Sequence, residues 1–483
     1  MALTKVSPEI LDLNNTAGTS NLRLGVNAGN SIASGGNYNV VVGDEAGTAI
    51  STGDNNVAVG YSAGLANTTG TNNTFMGSLS GDANTTGNNN VSVGKSSFSA
   101  NTTGSSGTAV GKSSLAANTT GANNTAVGES CLAANTTAAN NTAVGFGSLG
   151  ANTTGTRNSA MGSIALDANT EGNYNSAFGY NSLGANTTGT HNTALGDFSQ
   201  AANTTGTKNV SVGQGSFISN TTGDNNTVVG TEALDQNTTA DNNTAVGFQS
   251  LKANTTGTFN TAVGNNAGDA ITTGGRNIAI GSSALTSDTV GSRAVAIGYE
   301  ALATQNFTSA TDNYNIGIGF QAGYAVTTGV QNTFIGGLAG DATTTANNNT
   351  AVGYFSLSAN TTGTANTAVG QNSLLTNTTA SNNTAIGRFS LRLNTTGANN
   401  TAVGYEALDK NTTAANNTAV GMQAMQGNTT GANNVAIGQA ALAGNTTAAN
   451  NTAIGYASLA ANTTGTGNVA VGHDAFKTNT TGG

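Results

Sequence analysis

The sequence predicts an all-β protein, a β-solenoid or β-roll of about 27 stacked turns of seventeen residues each. The first observation behind this prediction is the period: the phrase Asn-Thr-Ala-Val-Gly that begins at Asn124 begins again at Asn141. The second is that apolar and small residues recur at fixed positions of every copy. The third is that a repeat rich in Asn, Thr and Gly lacks the helix formers that a helical repeat needs.

We describe each turn by its repeat glycine, the residue that follows Thr-Ala-Val. These glycines run from Gly25 to Gly472, and only two steps between them depart from the period. The step from Gly25 to Gly43 is one residue longer. A period this constant indicates that each copy is one structural unit that stacks on the next.

The second irregular step contains four extra residues within the region 304–313. We expect this insertion to turn one corner outward through Gln305, Phe307 and Asp312. It is either a binding loop or a tolerated bulge, because surface insertions have a small entropic cost.

The residue before the repeat glycine is always a medium or large hydrophobe, and we expect it to be buried. Examples are Val42, Met76, Val110, Phe178, Leu195, Ile280 and Ile386. Two residues earlier stand mostly Thr, Val, Ser or Ile, which favour a strand. The Ala between these positions, and the Ser, Ala or Cys three after the glycine, indicate close approach of backbones.

The position four after the repeat glycine is expected to close the core from the other side. It holds Leu, Phe or Met in most turns, and Gly in others; examples are Leu115, Phe217, Leu302, Met425, Gly47, Gly64, Gly268 and Gly323. We expect each turn to consist of a strand, a tight corner at the glycine, a short second strand around Ser-Leu, and a return through Asn-Thr-Thr-Gly.

Asparagine recurs four before the repeat glycine and again seven after it. In a stacked fold these positions become ladders of identical amides that bond the turns above and below, as in cross-β stacks. We therefore interpret the many Asn-Thr-Thr triplets as turn and ladder residues rather than as glycosylation sites, since the amino terminus lacks the apolar segment of a signal peptide.

Charge and composition argue against several functions. The chain is only 7% charged with a net charge of −9, and its 13 Lys and Arg are scattered, so no nucleic-acid footprint is present. No apolar run is long enough to span a membrane. The single cysteine, Cys131, occupies a small buried position and cannot form an internal disulfide.

The ionisable residues do not suggest catalysis. His191 and His473 fall at different positions of distant turns, and Glu recurs two after the repeat glycine only in turns that are far apart. Neither a metal site nor a histidine-dependent triad is supported, and no phosphate-binding glycine motif occurs. We expect no enzymatic activity and no cofactor.

The position just after the repeat glycine is highly variable, and in some turns it holds aromatic residues that we interpret as candidate surface-binding groups. These are Tyr61, Phe146, Tyr180, Phe248, Tyr299, Phe320, Tyr354, Tyr405 and Tyr456, to which Phe307 of the insertion is added. They either stack on sugars of a cell envelope or cover the edge of a thin core or a subunit seam.

Residues 1–20 stand outside the repeat and contain the only proline. The phrase Thr-Lys-Val-Ser-Pro-Glu-Ile-Leu-Asp-Leu resembles the opening of phage tail-fibre and virion-appendage proteins, which implies that it docks the fibre to a baseplate or another fibre protein. Its docking residues would be Leu3, Val6, Pro8, Ile10, Leu11 and Leu13. Alternatively, the segment only caps the first turn.

The repeat, as in Asn-Thr-Ala-Val-Gly-Tyr-Glu-Ala-Leu at 400–408, resembles the head repeats of trimeric autotransporter adhesins and the shaft repeats of phage tail fibres. This resemblance covers residues 21–483 and implies a β-roll shaft in a parallel homotrimer. The chain differs from the adhesins in its longer period and in lacking a signal peptide, a coiled-coil stalk and a membrane anchor. These differences favour the phage proteins.

The resemblance implies a structural fibre or spike of a phage virion that contributes to attachment at a host glycan or protein. A tip protein is expected at the carboxyl end, where the chain stops within a corner. The alternatives are a cellular surface adhesin or extracellular matrix filament, and an ice-binding solenoid. Adjacent Thr pairs argue against ice binding because they point to opposite sides of a strand.

Overall fold

The computed structural model describes residues 11–12 and 18–482, which form two compact units that meet in sequence at Asp241 and Asn242. Each unit is a parallel β-solenoid in which nearly every turn of about seventeen residues contributes one three-residue strand. The described residues contain no helix. The predicted all-β solenoid is therefore confirmed.

The described part of the first unit contains fourteen strands. They are β1 (Leu11–Asp12), β2 (Leu22–Leu24), β3 (Val40–Val42), β4 (Val57–Val59), β5 (Thr74–Met76), β6 (Val91–Val93), β7 (Thr108–Val110), β8 (Thr125–Val127), β9 (Thr142–Val144), β10 (Ser159–Met161), β11 (Ser176–Phe178), β12 (Thr193–Leu195), β13 (Val210–Val212) and β14 (Thr227–Val229).

The second unit contains sixteen strands. They are β15 (Thr244–Val246), β16 (Thr261–Val263), β17 (Ile278–Ile280), β18 (Gly291–Ser292), β19 (Val295–Ile297), β20 (Thr311–Asp312), β21 (Ile316–Ile318), β22 (Thr333–Ile335), β23 (Thr350–Val352), β24 (Thr367–Val369), β25 (Thr384–Ile386), β26 (Thr401–Val403), β27 (Thr418–Val420), β28 (Val435–Ile437), β29 (Thr452–Ile454) and β30 (Val469–Val471).

Within each unit, consecutive repeat strands pair in parallel so that each residue lies opposite its equivalent in the next turn. Ala126 of β8, for example, lies opposite Ala143 of β9. Two strand pairings lie outside this series of consecutive repeat strands. The short strands β18 and β20 form their own parallel pair, and β1 runs antiparallel to β2, with Leu11 opposite Leu24.

The direction of the strand side chains corrects the sequence interpretation. The middle residue of the strand, usually Ala, is fully buried, whereas the residue before the repeat glycine points outward. The residues expected to be buried there are instead half-buried or exposed: Val42, Met76, Val110, Phe178, Leu195, Ile280 and Ile386. Side chains alternate along a strand, so the middle residue points into the narrow interior; it is usually Ala, although Phe75 and Val228 are also buried there.

The repeat glycines form the predicted tight corners. Gly213 has a φ of +139°, and a Cβ added there would lie 2.6 Å from the carbonyl oxygen of Gly230 in the next turn. A side chain would therefore meet both a disfavoured backbone conformation and a backbone clash. This close approach explains why glycine occupies the position in every turn.

The segment after the repeat glycine is a run of turns, so the predicted second strand around Ser-Leu is wrong. Ser113 and Leu115 both have left-handed backbones, with φ of 56° and 48°. The Leu115 backbone N–H donates to the carbonyl of Cys131 in the next turn, at 2.9 Å. Such a conformation costs roughly 1–2 kcal/mol for a non-glycine residue, and full burial of the leucine side chain returns a similar amount.

The position four after the repeat glycine lines the core, as predicted. Leu115, Leu132 and Leu149 are fully buried in one cluster of the first unit. Where glycine replaces leucine, a larger residue from another position fills the space: a Cβ on Gly64 would lie 2.7 Å from the Phe75 ring of the next strand, and a Cβ on Gly268 would lie 3.0 Å from Ile271, which stands seven after the repeat glycine. Core volume is thus conserved by exchange between positions of the repeat.

The predicted asparagine ladders are also present. Asn118 Nδ2 donates to Asn101 Oδ1 at 2.9 Å and to the carbonyl of Gly121 at 3.0 Å. The same bonds join the asparagines seven after the repeat glycine from Asn67 to Asn237 in the first unit. Because these amides are buried and bonded, they satisfy the interior polar groups of the stack.

Candidate functional site

One sheet surface of each unit is uncharged and partly exposed to solvent, and we call it the outer face. It consists of the residues three and one before each repeat glycine. None of these positions holds a charged residue in any turn, although the neighbouring corner positions do, as Lys112 and Glu129 show. The exposed side chains include Val127 at 37%, Met161 at 50% and Leu195 at 49%. The outer face thus combines exposed apolar side chains with the hydroxyl groups of Thr and Ser and carries no charge.

The predicted aromatic row lies one residue after the repeat glycine. Its nine members other than Phe307 are 40–58% exposed. Several stack on a ring of an adjacent turn: Tyr299 and Phe320 have parallel rings 5.6 Å apart, and Tyr456 stacks on His473 at 4.9 Å. Ring faces and edges of this row are therefore exposed to solvent at the corners of their turns.

Carboxylates accompany two members of this row. A hydrogen bond to Glu300 raises the pKa of Tyr299, and a hydrogen bond to Glu406 raises the pKa of Tyr405. The Gln423 amide also donates to Glu406 at 3.0 Å and is the main reason that the pKa of Glu406 is lowered. Both glutamates are half-buried, and each accepts a hydrogen bond from a glutamine of the next turn, Gln321 to Glu300 at 2.7 Å and Gln423 to Glu406 at 3.0 Å.

The insertion departs from its predicted outward path. Phe307 is only 5% exposed and Gln305 is fully buried, so Phe307 is not a member of the exposed aromatic row. The inserted chain returns to the surface and forms β20, which pairs with β18. Asp312 there is exposed, and its carboxylate lies 3.1 Å from Arg293 Nε.

A buried carboxyl group lies beside this insertion. Asp288 occupies the position that asparagine holds elsewhere and is fully buried. Its Oδ2 accepts a hydrogen bond from Gln305 Nε2 at 2.7 Å, and its Oδ1 accepts one from the backbone of Gly291 at 2.9 Å. Burial nevertheless raises the pKa of Asp288, since desolvation outweighs these bonds.

We expect Asp288→Asn to reduce the pH dependence of stability. The folded-state pKa of Asp288 lies above its unfolded value, so its stabilising contribution is complete below the unfolded pKa and is lost as pH rises through the folded pKa. Asparagine, the usual ladder residue, does not titrate. The variant should therefore melt at a higher temperature than the parent at pH 7.5, and the difference should shrink or reverse at pH 3.5. A parent and variant that differ equally at both pH values would contradict this assignment.

The amino-terminal docking residues fall mainly outside the described part of the chain. Leu3, Val6, Pro8, Ile10 and Leu13 all lie there. The backbone of Leu11 belongs to β1, which pairs with the edge of β2 that β3 leaves free.

Groups suited to metal binding or nucleophilic chemistry do not converge in residues 18–482. We find there no cluster of three or more His, Cys, Asp or Glu side chains that could hold a metal ion. Cys131 is fully buried as predicted, and this burial raises the pKa of its thiol to about 12. At neutral pH the thiol is therefore protonated and enclosed.

Sequence reasoning missed a second column, five before each repeat glycine. This column, which we call the left-handed column, holds mostly Asn or other uncharged residues, and none of its members is acidic. Aromatic and basic residues occur there at Tyr38 and in two runs of four consecutive turns. The first run is Arg157, Tyr174, His191 and Lys208; the second is Phe259, Arg276, Arg293 and Tyr314. Tabulating this one position through all turns would have revealed both runs.

Comparisons with known proteins do not assign the chain to a family. No protein-family model matches it, and no curated protein matches it. Within the described residues, we find no helix that is long and apolar enough to cross a membrane.

Proposed function

We propose that this chain is the shaft of a homotrimeric fibre or spike of a phage virion and contributes to attachment at the host surface. The observation that carries the proposal is the outer face, which stays free of charge through every turn. Positions that merely face water would not be expected to exclude Lys, Glu, Asp and Arg so consistently. A face covered by other copies of the chain explains the exclusion.

The repeat geometry supports a parallel arrangement of these copies. All turns have nearly the same length, so equivalent residues of parallel copies stand at the same level along the stack. Val127 of one copy can then pack against outer-face residues of the same turn in its partners, and the match extends to the next turn. Closed rotational symmetry is the usual outcome for identical subunits, and the resemblance of the repeat to trimeric shafts favours three.

The surfaces left outside such a trimer suit attachment. The aromatic row lies at a corner rather than in the core, and its exposed tyrosine rings offer apolar faces with a polar hydroxyl. Such rings bind either host glycans or host proteins. A cellular adhesin or matrix filament would use the same surfaces, and the genes encoded beside this one distinguish that alternative from a virion protein.

Deleting residues 1–10 tests the virion placement. The deletion removes most of the proposed docking residues but keeps Leu11–Asp12, which pair with β2. We expect the shaft to keep its melting temperature while its amount in purified particles, measured by gel and electron microscopy, falls to background. Removal of residues 438–483 is the matched control, which should leave incorporation intact and impair distal binding. Normal incorporation of the first deletion would refute docking through this segment.

Ice binding is a second candidate that one observation favours. The threonines of β7, β8 and β9 (Thr108, Thr125 and Thr142) point to the same side as the following valines, so a regular array of hydroxyl and methyl groups covers the outer face. The adjacent threonines of the Asn-Thr-Thr segments are separate from this array. Thermal hysteresis in a dilute solution of a monomeric chain would support ice binding and contradict burial of the outer face between copies.

A further inference from the structure

The second run of the left-handed column lies in the second unit, and we call it the basic run. It consists of Phe259, Arg276, Arg293 and Tyr314. All four residues have left-handed backbones, with φ between 53° and 67°. The Arg276 N–H donates to the carbonyl of Thr258 at 2.9 Å, and the Arg293 N–H donates to Gly275 at 3.1 Å. The backbone of each arginine is therefore hydrogen-bonded to the preceding turn.

The two arginines of the basic run are flanked by aromatic rings. The Arg276 guanidinium carbon lies 5.6 Å from the centre of the Phe259 ring, and the Arg293 guanidinium carbon lies 5.4 Å from the centre of the Tyr314 ring. Arg293 Nη1 also donates to the Tyr314 hydroxyl at 2.9 Å. These contacts hold the guanidinium groups near the surface beside the rings.

The two arginines are equivalent residues of adjacent turns, but their side chains lean apart: Arg276 lies against Phe259 of the preceding turn and Arg293 against Tyr314 of the following turn. The Asp312 carboxylate, 3.1 Å from Arg293 Nε, offsets the charge of Arg293. Among the described residues no carboxylate forms a salt bridge with Arg276. The charge of Arg276 is therefore available to an external anion.

We propose that the basic run binds a carboxylated polysaccharide, with the two guanidinium groups on sugar carboxylates and the flanking rings against pyranose faces. The spacing of the turns is comparable to the length of one sugar ring in an extended chain, so successive sugars can meet successive turns. This inference deepens the proposed function by naming the ligand of a host surface. It concerns the isolated chain, so it does not depend on docking to a virion.

The charge of the whole molecule favours a glycan over a nucleic acid. Proteins that bind nucleic acid through the phosphate backbone use extended basic surfaces, whereas this chain has a net charge of −9 and a pI near 4.5. Arg276 can bind one carboxylate through paired hydrogen bonds, and Arg293, which already contacts Asp312 and Tyr314, can add a hydrogen bond to a second. They do not provide the long basic track that a polyphosphate requires.

The insertion helps to form this site. Gly291–Ser292 of β18 lead directly into Arg293, and Thr311–Asp312 of β20 approach Tyr314 through one intervening residue. The pairing of β18 with β20 therefore sets the relative position of Arg293 and Tyr314. The four extra residues thus serve the surface next to the basic run, although Phe307 itself is buried.

The test measures binding of fluorescein-labelled oligogalacturonate to the full-length chain by fluorescence anisotropy at low salt. All proteins carry Arg157→Asn and Lys208→Asn so that the related run of the first unit does not contribute. Adding Arg276→Asn and Arg293→Asn should weaken binding by at least about tenfold. These variants should fold, since asparagine is the commonest residue of this column and tolerates left-handed backbones. Lys95→Asn with Lys112→Asn, which removes the same charge at exposed corners, should leave affinity unchanged.

Hydrogen exchange locates the site independently: oligogalacturonate should protect backbone amides within residues 259–314, and Arg276→Asn with Arg293→Asn should abolish this protection. Protection elsewhere, or equal affinity of the variant and its control, would overturn the proposal. Equal binding of neutral dextran would refute the role of the carboxylates. Equal binding of an oligothymidylate would refute a glycan site and indicate a general polyanion surface.

Discussion

Replacing Gly213 with alanine is expected to destabilise the protein by about 3 kcal/mol or more. The backbone at Gly213 has a φ of +139°, a conformation that essentially only glycine adopts, and holding another residue there costs about 1–3 kcal/mol. The new Cβ would also lie 2.6 Å from the carbonyl oxygen of Gly230, so two stacked turns must separate. Thermal denaturation followed by circular dichroism measures the loss.

Gly215→Ser provides the matched control within the same turn. Gly215 also has a positive φ, +61°, but no atom lies within 4 Å of an added Cβ. Serine already occupies the equivalent position at Ser96 and Ser113 with φ of 54° and 56°. We expect a change within about 1 kcal/mol. If the alanine and serine variants melt at the same temperature, close packing of the repeat glycines does not limit stability.

Introducing glutamates on the outer face is expected to convert the proposed trimer into monomers. Val127→Glu, Met161→Glu and Leu195→Glu act at side chains that are 37–50% exposed in the single chain, so each turn can keep its fold. Between copies the same carboxylates would be buried without partners, a penalty of several kcal/mol per charge. Sedimentation velocity measures the resulting change in mass.

Thr120→Glu, Thr154→Glu and Thr205→Glu form the charge-matched control. These threonines are exposed on a different side of the turn, in a column where Glu171 occurs naturally. They should leave the mass of the assembly unchanged. Dissociation by both triple variants would indicate general charge repulsion rather than loss of a specific interface.

The period, the parallel stacking and the asparagine ladders could be predicted because each depends on identity between turns. A constant step places Asn101 against Asn118 in any stacked fold, whatever the shape of one turn. The position of the residue four after the glycine was also predictable, since Leu115 is the largest apolar residue of its turn. Neither inference requires knowledge of how wide the interior is.

The direction of the strand could not be inferred from hydrophobicity alone, because both Ala126 and Val127 are apolar. Val228 is fully buried at the middle position, so the alternation of side chains along the strand, rather than their size, decides which residue points inward. A signal was nevertheless present: Phe75 occupies the middle of its strand only where Gly64 and Gly81 replace the core leucine. A large middle residue that occurs together with glycine at the core position shows that the side chain of the middle residue points into the core.

Corner surfaces were only partly predictable. The aromatic row was found because its members follow an invariant glycine, whereas the left-handed column was hidden by the general abundance of asparagine. The exposure of Phe307 was predicted wrongly because an inserted residue has no equivalent in other turns that would show which way its side chain points. The buried Asp288 likewise gave no sequence signal beyond the replacement of a ladder asparagine.

The mass of the unmodified chain in dilute solution, measured by multi-angle light scattering, tests burial of the outer face most directly. A parallel homotrimer predicts about three times the 47.2 kDa of one chain. A mass of 47.2 kDa that persists across protein concentrations would contradict the assembly, and would leave the uncharged outer face exposed to water in the working form of the protein.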